Sequence, residues 1–160
     1  MKIARKFFVI FFPLALGFSL LIPLFFVLPA HSQSSPASLF LSPSAGTFVV
    51  GGTFTISIFV NTGGQNINAI QADLKFPADK LQVVSPSAGK SFVGIWVVQP
   101  TYDNRAGVIK FQGAIPNPGV NTSAGLISEI TFRVVSVGTA IIKFEDSSRI
   151  LLNDGRGTDV

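Results

Sequence analysis

The chain has 160 residues with twelve Lys and Arg, eight Asp and Glu, one His, a formal net charge of +4 and no cysteine. Without cysteine there are no disulfides, thiolate metal sites or thiol catalysis, so the fold must rest on its core. Beyond the first 32 residues, nine basic residues stand against eight acidic ones, a net charge of +1; they are scattered singly, which excludes the clustered basic face that nucleic-acid binding requires.

Residues 1–32 open with Lys2, Arg5 and Lys6, run apolar from Phe7 to Ala30, and end in an A-x-S pattern at Ala30-His31-Ser32. A basic start, an apolar stretch and a small-residue cleavage site are the layout of a secretory signal peptide. The apolar run is near the roughly 20 residues that span a bilayer, so an uncleaved amino-terminal membrane anchor is the alternative. Pro13, Pro23 and Pro29 interrupt the run and favour cleavage. The expected location is secreted or on the extracellular cell surface, with membrane contact only through this segment. Residues 33–38 form a polar linker, and 39–160 form one domain, approaching the size of about 150 residues at which roughly 68–70% of the unfolded surface is buried.

From Leu39 onward, strand signals alternate with turn signals. "TFTISIFV" puts Phe54, Ile56, Ile58 and Val60 on one face and Thr53, Thr55 and Ser57 on the other. "INAIQADLKF" turns Ala69, Gln71, Asp73 and Lys75 outward. "LQVV", "FVGIWVV" (92–98), "GVIKFQGA" (107–114), "LISEITFRVVS" (126–136), "GTAIIKFE" (138–145) and "SRILL" (148–152) continue the series, with Gly and Pro between them. "PADKL" has room for one helical turn. "LSPSAGTFVVG" and "VSPSAGKSFVG" share a turn, but the likeness ends too soon for a repeat array. The pattern predicts an all-β antiparallel sandwich with jelly-roll topology and about nine strands.

The inventory for chemistry is thin. His31 is the only histidine and sits at the cleavage pattern, so no Ser-His-Asp arrangement can form. The acids fall singly at strand ends or outward positions, unlike a facing pair across a cleft. No enzyme is expected. "NDGRGTD" (153–159) lacks the spacing and closing glutamate of a calcium loop and reads as a glycine-rich turn. "NTS" (121–123) matches a glycosylation sequon, which matters only in a eukaryotic secretory route. Among sixteen Phe there is one Trp and one Tyr; Trp96 and Tyr102 make a sugar-stacking site only if both face outward.

The chain resembles a cohesin domain, the dockerin-binding module of bacterial scaffoldins and related surface proteins. The resemblance rests on "LFLSPSAGTFVVGGTFTISIFVNTGG", "NAIQADLKFPADKLQVVSPSAG", "GVIKFQGAIPNPG" and "GLISEITFRVVSVGTAIIKFEDSSRILLNDGRGTDV", in order, over nearly all of 38–160. It implies a nine-stranded sandwich that binds a partner through one sheet face, does no chemistry and takes no cofactor. Calcium would belong to the dockerin. Ala69 and Gln71 stand where the family often has an Asn and an Asp two apart, and Pro77-Ala78 replaces its usual Asp-Pro. "IIKFED" matches a strand that often carries a contacting acid: parity favours Glu145 and direct alignment Asp146, and a bulge would reconcile them. The turn "DGRGT" leads into the family's closing strand, so the domain is expected to be cut short there or to keep only a vestige of that strand.

The expected partner-binding set is therefore Ala69, Gln71, Asp73, Lys110, Gln112, Lys143, Glu145 and Asp146, facing a dockerin-like protein module in a surface or polysaccharide-degrading assembly. A carbohydrate-binding module carried by Trp96 and Tyr102 is the first alternative, with polysaccharide as ligand. A structural spacer of a surface adhesin is the second.

Overall fold

The computed structural model describes residues 35–87 and 89–160. The leader segment with its cleavage pattern, and Gln33 and Ser34 of the linker, lie outside the described residues. In chain order the strands are β1 Ser38–Ser42, β2 Thr53–Asn61, β3 Ile67–Lys75, β4 Leu81–Ser87, β5 Ile95–Asp103, β6 Val108–Ala114, β7 Gly125–Val134, β8 Lys143–Phe144 and β9 Arg149–Leu152. Two antiparallel sheets result: β1-β2-β7-β4, and β5-β6-β3-β8 with β9 also on β3. Among the described residues there is no helix.

The period-two pattern explains the layering. Ile56, Ile58 and Val60 of β2 and Ile70, Ala72 and Leu74 of β3 are all buried between the sheets. Phe132 on β7 stacks on Phe54 with centroids 5.6 Å apart and meets Phe76 edge-on at 5.4 Å. Phe76, Phe111 and Phe132 are fully buried, each contributing about 1.5–3 kcal/mol by leaving water. Phe54 and Phe144 pack against this core from its margin. "PADKL" makes its single turn, with the Lys80 and Leu81 N–H groups donating to the Pro77 carbonyl.

Two elements differ from the sequence pattern. The strand expected over Gly138–Glu145 pairs only at Lys143 and Phe144. The preceding segment leaves the sheet to wall a groove of about 380 Å³ against the β1–β2 loop, and Ile141 is 69% exposed there. β5 begins at Ile95 and runs through Pro100 to Asp103. It is an edge strand, and Pro100 sits inside a register shift between Val98 and Thr101, where a missing N–H costs no ladder bond. Past the "NDGRG" turn the chain runs back along β9: the Leu152 N–H donates to Thr158 O and the Val160 N–H to Ile150 O.

Candidate functional site

The register of the five-stranded sheet places its outward residues in rows. Ile70, Ala72 and Leu74 face the core, so Ala69, Gln71, Asp73 and Lys75 point away from it. Following the pairings outward from β3, the first row reads Leu151, Ala69, Ala114, Ile95, and the second Arg149, Gln71, Gln112, Val98. The third reads Asp73, Lys110, Thr101, and the fourth Lys143, Lys75, Val108, Asp103. The face is apolar at one end and charged at the other.

Asp73 is outward by parity yet only 8% exposed. The cover comes from residues 145–148, where the strand on this edge of β3 breaks between β8 and β9. The break is a turn closed by Ser148 N–H to Glu145 O at 2.9 Å. It leaves the Asp73 N–H without a main-chain acceptor, and Ser148 fills that place with its side chain. Its hydroxyl accepts from the Asp73 N–H and donates to the Asp73 carbonyl, both at 3.1 Å; that carbonyl also accepts from the Glu145 N–H at 2.8 Å, so the N–H is the group that depends on Ser148. The Asp73 carboxylate accepts from Ser147 Oγ at 2.6 Å and from Gln71 Nε2 at 2.9 Å. The amide nitrogen of Gln71 is thus committed inside the sheet.

The same turn sets the two acids apart. Glu145 shares the face with Lys143, their charged atoms 3.6 Å apart, and its Oε1 is shielded with no hydrogen-bond partner among the described residues. Asp146 lies exposed in the turn at the rim, its main-chain carbonyl accepting from Arg149. The break reconciles parity and alignment as a bulge would, although it is a four-residue turn. Arg149 also pairs with Asp159 at 3.0 Å. Lys110, directly across from Asp73, makes no ion pair among the described residues.

The expected residues Ala69, Gln71, Asp73, Lys110, Gln112, Lys143 and Glu145 therefore share one face. The register adds Ala114, Ile95, Val98 and Leu151 to them; of these, only Ala114 is turned outward by the alternation of "GVIKFQGA", with Lys110 and Gln112. Trp96 and Tyr102 are not brought together on that face. They pair with Gly113 and Ile109, both core-facing, and the Trp96 ring meets Phe111 edge-on at 6.0 Å. Asp103 and Asp154 are committed to turns: the Arg105 and Ala106 N–H groups hold the Asp103 carboxylate, and Thr158 Oγ1 and the Arg156 N–H hold that of Asp154. These bonds hold both carboxyls below the ordinary value of 3.8, led by the Ala106 N–H for Asp103 and the Thr158 hydroxyl for Asp154. Among the described residues no group of three or more metal-ligating side chains gathers.

The family profile of the cohesin domain matches residues 43–154. The chain belongs to the cohesin domain family. Cohesin domains are non-catalytic interaction modules. Solved structures agree on the fold. A type I cohesin–dockerin complex from Clostridium thermocellum is similar with TM-score 0.61 at 12% identity, over 79% of this chain and 92% of that one. The sixth cohesin of scaffoldin B from Acetivibrio cellulolyticus, solved in complex with a dockerin, gives 0.59 at 14% identity over 79% and 92%. A type II cohesin from the cellulosome of the same organism gives 0.55 at 20% identity over 79% and 88%. No curated protein sequence matches the chain.

Proposed function

We propose that this cohesin binds a dockerin-type protein module through the outer face of the β5-β6-β3-β8 sheet. The observation that carries the reading is membership of the cohesin family across residues 43–154. The register supports the choice of face, because it gathers Gln71, Lys110, Gln112, Lys143 and Glu145 on one surface beside an apolar row. Asp73 acts there through Gln71, by fixing its amide. The opposite sheet offers short hydroxyl side chains instead, such as the Thr55–Thr131 pair. Calcium belongs to the dockerin and not to this chain.

The signal-peptide layout of the leader supports a domain that works outside the cytoplasm, secreted or held at the cell surface, and cohesin membership supports a role in a surface or polysaccharide-degrading assembly. Calorimetric titration of the protein with the dockerin modules encoded in the same genome, with and without calcium, tests the reading. Saturable, calcium-dependent binding that weakens on Gln71→Ala is expected. Silence from a folded sample across the whole panel refutes it.

A further inference from the structure

The rows on the sheet face carry more than a location. Leu151, Ala69, Ala114 and Ile95 lie side by side across four strands, and neighbouring strands are roughly 4.8 Å apart. Two alanines on the central strands thus form a shallow trough between larger walls. Ile95 is 55% exposed and Val97, the extra residue at the adjoining register shift, 69% exposed. These side chains leave no polar group from the first row with which to hydrogen-bond a partner.

The other end has the opposite chemistry. Lys110 faces Asp73 in register, but that carboxylate is already held by Gln71 and Ser147. Lys75, a diagonal neighbour of Lys110 at roughly 7–8 Å, sends its ammonium to the Ala106 carbonyl instead of an acid. Lys143 and Arg149 are paired with Glu145 and Asp159. Among the described residues, Lys110 and Lys75 are the cations of this face that make no ion pair.

We infer that the partner's contact surface is divided in the same way, with an apolar side chain seated over the Ala69–Ala114 trough and a carboxylate set against Lys110 and Lys75. This deepens the proposed dockerin reading and rests on it. The apolar end supplies most of the affinity, because desolvation there leaves nothing unpaired. The lysine end sets register and partner choice through a charge exposed to salt screening.

The test uses whichever calcium-loaded dockerin module of the same genome binds the wild-type protein, with Kd measured at about 0.05 M and about 0.5 M salt. Ala114→Asp and Ile95→Asn are each expected to weaken binding by about tenfold or more at both salt concentrations, since each puts a polar group where the partner is dry. Lys110→Glu is expected to weaken it about tenfold at low salt and only about twofold at high salt. Changing the exposed acids of that dockerin to Lys one at a time is expected to reveal one that restores binding to K110E.

Ile95 is exposed on an edge strand, so Ile95→Asn keeps the test intact if Ala114→Asp fails to fold. Kd values within about twofold of wild type for the apolar-row variants, with Gln71→Ala still weakening binding, overturn the divided surface and leave the binding face standing. A Lys110→Glu loss that persists at high salt also overturns it. Absence of any binding dockerin, or indifference to every substitution on the face, removes the dockerin reading itself.

Discussion

Gly113 sits on β6 between two outward residues, Gln112 and Ala114, with its own missing side chain aimed at the core. A Cβ built there lies 2.2 Å from Val93 Cγ1 and 3.4 Å from Val93 Cβ. Val93 is itself buried, and its branched side chain has little rotameric freedom with which to retreat. Gly113→Ala is therefore expected to cost about 1–3 kcal/mol by overpacking. For a domain of this size that lowers Tm by about 3–5 °C per kcal/mol. Val93→Ala removes the offending methyl and leaves only the 3.4 Å contact. In that background the same substitution should reverse sign, because Ala is favoured over Gly in a strand interior by roughly 0.5–1 kcal/mol. The assay is a double-mutant cycle by denaturant unfolding of the four proteins. Additive effects, or a Gly113→Ala protein as stable as wild type, would show that Val93 does not crowd this position.

Phe132→Ala removes the ring shared by Phe54 and Phe76 and should cost about 3–5 kcal/mol in urea unfolding; a loss under about 1 kcal/mol would contradict the packing described. Ser148→Ala strips the Asp73 N–H of its partner, while the Asp73 carbonyl keeps the Glu145 N–H. The substitution is expected to cost about 1–3 kcal/mol and to speed hydrogen exchange at the Asp73 amide, whereas unchanged exchange would show that the hydroxyl does not hold it. The Asp103 and Asp154 carboxyls should titrate below 3.8 by carbon-13 NMR. Because folding lowers these values, the stabilisation from each turn is complete above the unfolded pKa and is lost as pH falls through the folded one. Asp103→Asn should blunt that acid sensitivity, and a carboxyl titrating above 3.8 would reverse the sign.

Where a strand pairs along its whole length, the sequence was sufficient. The alternations of "TFTISIFV" and "INAIQADLKF" separate core from surface residue by residue, because one buried face imposes a period of two. Where pairing is partial, it was not. "GTAIIKFE" alternates as well as any other segment, yet pairs at only two residues, since whether Gly138–Ile142 finds a neighbour depends on the groove they close with the β1–β2 loop. The burial of Asp73 was equally hidden. Parity turned it outward correctly, but its cover comes from Ser147 and Ser148, 74 and 75 positions away. The separate placements of Glu145 and Asp146 likewise depend on the turn itself. As for the apolar row, each of its members looks ordinary alone; only the pairing of four strands lines them up.

The most direct test of the face is an amide chemical-shift footprint. Nitrogen-15-labelled protein would be titrated with a calcium-loaded dockerin module from the same genome. Perturbations are expected to concentrate on Ala69–Lys75, Val108–Ala114, Ile95–Val98 and Lys143–Leu151, while Thr55 and Thr131 on the opposite sheet stay unmoved. A footprint centred on β1, β2, β7 and β4 would contradict the assignment of the binding face.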